Sequence, residues 1–462
     1  MQNVIFRVET IEEIVRKNCL NSNNDGRTDR KQMTEIEENT QQERAILVGV
    51  ELDDADDFTY SMDELKNLAQ ACNMCVVGIL TQKMDAVNKA LYLGSGKVDE
   101  LQELSQNLEA DVIVFDNALS PSQLRNLQQI LGKPIMDRTA LILEIFSTRA
   151  RTREAKLQVE TAKLQYLLPR LVGMHAALGR QGGGSGLANK GAGEKKLELD
   201  RRKIEHRLAE LRRELETVSR ERTTQRKRRL SSHLPLVALT GYTNAGKSTL
   251  MNRLLERYGR DEKKQVLEKD MLFATLETSV RKILLPDNRN FLLSDTVGFI
   301  HKLPTALIQA FHSTLEEVEN ADLLLHVVDY SNPNYKKQMQ VTKDTLTELG
   351  CGGIPVIYIM NKADLCMEGI PRVQGEDRIY MAAGAGVGLD ELLELIGKRL
   401  FGGYEESEFL IPYEKGQIMS YLMERALVKK VEYEESGIRI AVSCSKEDKA
   451  RYGEYTVKRE GR

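Results

Sequence analysis

Two rhythms of apolar and polar positions divide the chain. From residue 45, short apolar blocks recur: Ala45-Ile-Leu-Val-Gly-Val, then residues 75–80 and 111–115. Between them apolar residues return every three to four positions, as with Leu65, Leu68 and Ala71 within 62–71, and again over 98–108. A block of four to six apolar residues suits a buried strand, and a 3.6-residue period suits a helix with one face on a core. A Gly-containing loop, YLGSGK (92–97), and a Ser120-Pro121 helix cap fall between these stretches. Strand and helix in alternation predict an N-terminal α/β domain with a parallel sheet over 45–148. Residues 1–44 show little period and end in a Glu/Gln/Asn-rich run, which predicts a disordered extension.

Over 149–230 the rhythm changes. Leu197, Ile204, Leu208, Leu211, Leu215 and Val218 follow a coiled-coil seam, and Leu157, Leu164, Leu168 and Leu171 mark an earlier stripe. The run RQGGGSGLANKGAGEKK (180–196) lies between them and reads as too glycine-rich for helix or sheet. These features predict an antiparallel helical hairpin with a flexible tip. A basic hinge, QRKRRLSSH, leads to a second α/β pattern over 231–402. The remainder, 403–462, shows a helix over 416–427 and a strand-like 431–444, a small C-terminal α+β domain with no constellation assignable to chemistry.

Composition sharpens this outline at two places. With 41% hydrophobic and 29% charged residues over 462 positions, the chain reads as soluble and globular, of about three domains. It shows no apolar run of membrane-spanning length and no secretory N-terminus, so a cytoplasmic protein is expected. The net charge of −3 conceals an asymmetry: 149–229 holds 22 Lys and Arg against 10 Asp and Glu, a surplus of 12 that leaves −15 for the rest. A basic arm in an acidic chain is the electrostatic footprint of a nucleic-acid partner. Arg180, Lys190, Lys195 and Lys196 are the candidate RNA contacts at the tip. Six cysteines form no disulfide framework; the Cys72-Asn-Met-Cys75 pair has no second half-site nearby and reads as buried small side chains.

Chemistry concentrates in the second α/β pattern. Leu236-Val-Ala-Leu-Thr240 leads into Gly241-Tyr242-Thr243-Asn244-Ala245-Gly246-Lys247-Ser248-Thr249 and then a helical pattern. This is G-x-x-x-x-G-K-S in strand-loop-helix context, a phosphate cradle of backbone N–H groups. Lys247 would neutralise the β- and γ-phosphates, and the Ser248 hydroxyl would ligate Mg²⁺. Asn361-Lys362-Ala363-Asp364 follows an apolar strand; the Asp364 carboxylate can accept from guanine N1–H and its exocyclic amine, which adenine does not offer there. Asn361 would brace the base loop and the Lys362 stem would lie along the base. Asp295-Thr296-Val297-Gly298 is a D-x-x-G, with Asp295 holding Mg²⁺ through a water and the Gly298 amide sensing the γ-phosphate. Between these motifs Phe273-Ala274-Thr275-Leu276-Glu277 supplies Thr275 as candidate second metal ligand. The ligands implied are GTP, GDP and Mg²⁺, and Lys247, Thr275 and Gly298 are the residues expected to act in catalysis. A general RNA remodeller driven by ATP at the N-terminal domain is the weaker alternative, because no second P-loop is present.

Taken with YLGSGK, FDNALSPSQLRNL, LQYLLPRL, RQGGGSG, LFATLE, DTVGFI and LPTALIQAFHSTLEE, the chain resembles the HflX family over roughly residues 45–400. The resemblance implies a Ras-like G domain in a monomer that binds the large ribosomal subunit, reaches ribosomal RNA with the hairpin, and splits stalled ribosomes in its GTP form. A GTP-gated ribosome assembly factor is the alternative. Three positions depart from the family pattern. Thr275 is followed by Leu276-Glu277-Thr278 in place of L-D-P-T. The hairpin tip reads Gly191-Ala-Gly-Glu-Lys195 in place of G-P-G-E-T. The guanine-bracing S-A-K becomes Ala382-Ala383-Gly384, where the Ala383 N–H is still expected to donate to guanine O6. Phe299 after D-x-x-G, where other GTPases carry a water-orienting glutamine, is the family's own choice. In similar GTPases an asparagine at position 244 helps hold a potassium ion; the alternative is that Asn244 only braces the loop.

Overall fold

The computed structural model describes residues 42–52, 58–178, 187–230, 234–259, 279–285, 289–302 and 317–457, with backbone course alone for 172–178, 187–197, 221–230 and 424–425. Residues 1–41 of the expected extension, Arg180, and the loop carrying Phe273, Ala274, Thr275, Leu276 and Glu277 lie outside the described residues. Among those described, no helix is long and apolar enough to cross a membrane. The chain is a multidomain α/β protein that separates into two compact units, 1–148 with 159–212, and 149–158 with 213–462.

In the first unit, strands β1 (Glu43–Glu51), β2 (Met74–Lys83), β3 (Val112–Phe115) and β4 (Ile135–Asp137) form an all-parallel sheet in the order β2-β1-β3-β4. Helices α1 (Phe58–Ala71), α2 (Ser95–Asn107), α3 (Pro121–Leu131) and α4 (Arg138–Arg149) connect or follow them. The Ser120 side chain accepts from Gln123 N–H while the Gln123 side chain caps Ser120, a capping box that starts α3 where the Ser-Pro pair indicates. Two departures from the pattern stand out. Cys75, the second residue of edge strand β2, is exposed beside the buried Met74, and Cys72, in the turn before the strand, is half-buried; burial of the pair is therefore corrected. Arg138, fully buried, binds Asp116 at 2.7 Å and Glu64, an ionic cluster that apolar periodicity cannot reveal.

Helices α5 (Arg153–Leu178) and α6 (Leu187–Leu230) carry the basic segment. Arg153 pairs with Glu214 and Arg207 with Glu160: seven residues up one helix correspond to seven down the other, so the pair is antiparallel. Leu157, Leu164, Ile204, Leu208 and Leu211 are buried along the seam. The glycine-rich run is corrected in part. The backbone from Leu187 onward is helical, so Lys190, Lys195 and Lys196 stand on α6, and so do the basic residues 226–229 expected in a hinge.

In the second unit, β5 (Leu236–Gly241), β6 (Ser279–Leu284), β7 (Asn290–Asp295), β8 (Leu323–Asp329), β9 (Val356–Asn361), β10 (Arg372–Gln374) and β11 (Arg378–Tyr380) form one sheet, ordered β10-β11-β9-β8-β5-β7-β6. Strands β7, β5, β8, β9 and β11 run parallel, and β6 and β10 lie antiparallel at the edges. Helices α7 (Lys247–Tyr258), α8 (Tyr335–Glu348) and α9 (Leu389–Phe401) belong to this part of the chain, and Val237, Leu239, Leu250, Leu254, Leu325 and Ile359 are among its core. The chain then forms β12 (Glu405–Ile411), α10 (Gly416–Arg425), β13 (Leu427–Glu434), β14 (Gly437–Cys444) and α11 (Lys446–Arg451), with an antiparallel sheet ordered β12-β14-β13.

Candidate nucleotide site

Parallel strands deliver their C-terminal ends to one edge of a sheet, where β5, β7, β8 and β9 of this sheet each end in a polar or glycine residue. At the end of β5, Gly241 has φ 137°, and a Cβ there would lie 2.2 Å from Val327 O on β8. Gly246, φ 94°, precedes α7, and a Cβ there would lie 2.3 Å from Asn361 Nδ2. Both glycines are thus sterically required to bring the loop between them against its neighbours.

Lys247 opens α7 and is buried. Its ammonium donates to Gly241 O at 3.0 Å and Tyr242 O at 2.7 Å, folding the side chain over the loop. Burial lowers its pKa to about 8, and the Asp295 carboxylate opposes that shift. Ser248 Oγ donates to Asp295 Oδ2 at 2.9 Å, so a hydroxyl and a carboxylate from two elements converge beside the ammonium. Oxygen donors of this kind fit Mg²⁺.

The D-x-x-G segment lies against the same loop. Thr296 Oγ1 donates to Leu239 O at 2.6 Å. Phe299 N–H donates to Gly241 O at 3.1 Å, and Thr243 N–H to Phe299 O at 2.9 Å. His301 N–H donates to the Tyr242 hydroxyl at 2.6 Å. The Phe299 ring is 2% exposed and packs in a core cluster with Ala238, Val318, Ala321, Leu324, Leu346 and Cys351. Gly298 sits tight: a Cβ would lie 2.8 Å from Thr243 Cγ2 and 2.9 Å from both Lys247 Nζ and Thr243 Cα. Val297 is nearly buried between these fixed points.

At the other end, Asn361 Nδ2 donates to Ala245 O at 2.8 Å, and Lys362 Nζ donates to Asn244 O at 3.0 Å. Both residues therefore tie the loop after β9 to the phosphate loop. Asp364 stands exposed in a single 3-10 turn, Ala363–Leu365, with no hydrogen-bond partner among the described residues. The Ala383 N–H donates to Asn361 Oδ1 at 2.9 Å, which corrects the expectation that this amide is available to guanine O6. Ala382, bridged to Val387, is buried beside it. The structure thus brings together 241–249, 295–298, 361–364 and 382–383. Thr275 and Arg180 fall outside the described residues, as do the side chains of Lys190, Lys195 and Lys196. Sequence reasoning missed Asp329, whose Oδ2 receives the Lys362 ammonium at 2.7 Å. The available signal was its place closing an apolar block, LLLHVVD, as Asp295 and Asn361 close theirs.

Comparison with known proteins gives four family matches in chain order: a GTP-binding GTPase N-terminal region over 59–147, a GTP-binding GTPase middle region over 149–229, a 50S ribosome-binding GTPase over 236–362 and an HflX C-terminal domain over 371–454. The chain is 45% identical over 415 residues to the GTPase HflX of Caldanaerobacter subterraneus subsp. tengcongensis, covering 90% of this chain and 94% of that protein. It is 43% identical over 409 residues to GTPase HflX of Lacrimispora saccharolytica, covering 88% and 95%. To GTPase HflX of Escherichia coli it is 36% identical over 400 residues, covering 86% and 92%.

Proposed function

The chain belongs to the HflX family of GTPases, and from that premise we propose that it binds the large ribosomal subunit and in its GTP form splits or rescues stalled ribosomes. It is a P-loop GTPase. The observation that carries the finer reading is one polypeptide holding both a basic antiparallel helix pair and a G domain matched by the 50S ribosome-binding GTPase model. The partner is then ribosomal RNA, approached by the arm that bears Arg180, Lys190, Lys195 and Lys196.

In this reading the 241–249 loop cradles the phosphates, Asp364 selects guanine, and the Gly298 amide reports the γ-phosphate. Ser248 and Thr275 would hold Mg²⁺ directly and Asp295 through a water; the ion supplies charge neutralisation on the phosphates. Lys247, already desolvated, places its charge where the phosphates lie. The Asn244 carbonyl is occupied by Lys362 and its backbone has φ 60°, which supports a bracing role. The potassium alternative requires slower turnover when Na⁺ replaces K⁺, and equal rates would eliminate it.

Sedimentation of intact ribosomes with the full chain is the direct test. A non-hydrolysable GTP analogue should release free subunits, whereas GDP should not, and large subunits should raise the slow basal hydrolysis. Splitting that is indifferent to nucleotide would refute the reading. Binding confined to immature subunits would favour an assembly factor instead.

A further inference from the structure

Strands β8 and β9 pair in parallel with Asp329 opposite Asn361, so the last side chain of β8 can reach the first residue after β9. That residue, Lys362, has φ 58°, a left-handed conformation that a side chain bearing Cβ adopts only at a cost. Four hydrogen bonds surround this strained point. Asp329 Oδ2 accepts from Lys362 Nζ at 2.7 Å, and the same ammonium donates to Asn244 O at 3.0 Å. The other carboxylate oxygen, Oδ1, accepts from Ser331 N–H at 3.1 Å and Ser331 Oγ at 2.5 Å, which fixes the carboxylate plane. The Asp329 side chain is 16% exposed and that of Lys362 30%, so the pair is sheltered from much of the screening that weakens surface pairs.

We propose that Asp329 is a positioning residue for guanine nucleotide, acting through Lys362. Its carboxylate holds the ammonium against the phosphate-loop carbonyl. The aliphatic stem of Lys362 is thereby fixed in one course as a wall for the base, and the base loop and phosphate loop are joined before ligand arrives. Without the carboxylate the ammonium keeps, among the described residues, a single carbonyl acceptor. A flexible lysine then samples water, and nucleotide must restore its order on binding. Because Asp329 hydrogen-bonds to Lys362 and Ser331 while the γ-phosphate end is marked by Lys247 and Gly298, its influence belongs to binding and not to the chemical step.

The experiment uses the full chain with fluorescent GDP and GTP. Asp329→Asn keeps the shape and removes the charge; it should raise Kd for both nucleotides about tenfold, as expected for loss of one charge-assisted hydrogen bond. The kcat at saturating GTP should stay within about twofold. Asp329→Glu should recover most of the affinity. In a Lys362→Met background, Asp329→Asn should add nothing further, since the group it positions is already gone. Ser331→Ala, which keeps the Ser331 N–H bond to Oδ1 and leaves the Oδ2–Lys362 pair intact, should lose far less affinity than Asp329→Asn. Wild-type affinity in Asp329→Asn would overturn the proposal. So would full additivity with Lys362→Met, or a loss in Ser331→Ala equal to that of Asp329→Asn, which would assign the effect to the turn.

Discussion

Phe299→Gln installs, at the position after D-x-x-G, the side chain that orients water in other GTPases, and the structure says that it will damage the fold without improving hydrolysis. The ring is 2% exposed among Ala238, Val318, Leu324 and Leu346, and the backbone cannot turn it outward because Phe299 N–H and O are both bonded to the phosphate loop. A buried phenyl removes about 150–250 Å² from water. At about 25 cal/mol per Å² that is worth roughly 4–6 kcal/mol. Glutamine returns part of this through its methylenes but brings an amide into an apolar site, at about 1–3 kcal/mol. The net loss should be about 3–5 kcal/mol, the range for truncating a core phenylalanine. For a domain of about 150–250 residues this lowers Tm by about 10 °C. Phe299→Leu should cost less than about 1.5 kcal/mol. Chemical denaturation and single-turnover GTP hydrolysis on the same preparations decide the matter. A glutamine variant of wild-type stability that hydrolyses faster would place this side chain at the phosphates and refute the reasoning.

Asp364→Asn keeps an acceptor for N1–H but puts a donor opposite the 2-position of the base; affinity should move from guanine to xanthine nucleotides in competition binding, and unchanged preference would remove Asp364 from the base site. Gly298→Ala puts a Cβ 2.9 Å from the Thr243 Cα, a contact that no side-chain rotation relieves. Turnover should fall on the order of tenfold to a hundredfold with GDP affinity nearly kept, measured by phosphate release and GDP titration. His326 is buried, and its pKa is pushed down to about 4, by burial first and then by Lys247. Between pH 6.5 and 4 the unfolded chain therefore binds a proton that the folded chain refuses, so stability falls on acidification. This residue should cost about 3 kcal/mol by pH 4. Urea unfolding at pH 7 and pH 4.5 should show a shallower acid loss for His326→Leu, and equal losses would contradict the assignment.

The sequence made the strand ends legible because each buried strand terminates in its motif, and the motif types impose the local geometry: glycine where φ is 137° or 94°, Lys247 at a helix start. What escaped depends on register between distant segments. Asp329 meets Lys362 across a strand pair, Ala383 meets Asn361 across a loop, and Arg138 meets Asp116 and Glu64 inside the first unit; apolar periodicity records none of these. The run from Leu187 was misjudged for a different reason. Gly191 and Gly193 each cost a helix about 1 kcal/mol, yet Ala188, Lys190, Ala192, Glu194 and Lys195 are strong helix formers in a segment that continues to Leu230. Cys75 was misjudged because its exposure follows from β2 being an edge strand, a property of topology alone.

Among the described residues, the phosphate loop is the common partner of the NKAD and D-x-x-G segments, and this bears on how a nucleotide can be sensed. Asn361 grips Ala245, Lys362 grips Asn244, Ser248 grips Asp295, and Phe299 is bonded to Gly241 and Thr243. The NKAD and D-x-x-G segments, to which the proposed function assigns base recognition and phosphate sensing, are therefore both tied to one loop. On the phosphate side the connection continues inward. Gly298 cannot move toward or away from a γ-phosphate without pulling on Phe299, whose ring is packed with Val318 and Ala321 at the beginning of the chain leading into β8. Close-packed cores respond to such a pull by changing arrangement and not by stretching. An apolar side chain after D-x-x-G thus gives up water orientation and ties Gly298 mechanically to the core, and in the function proposed above that is how a change at the γ-phosphate would reach the rest of the domain.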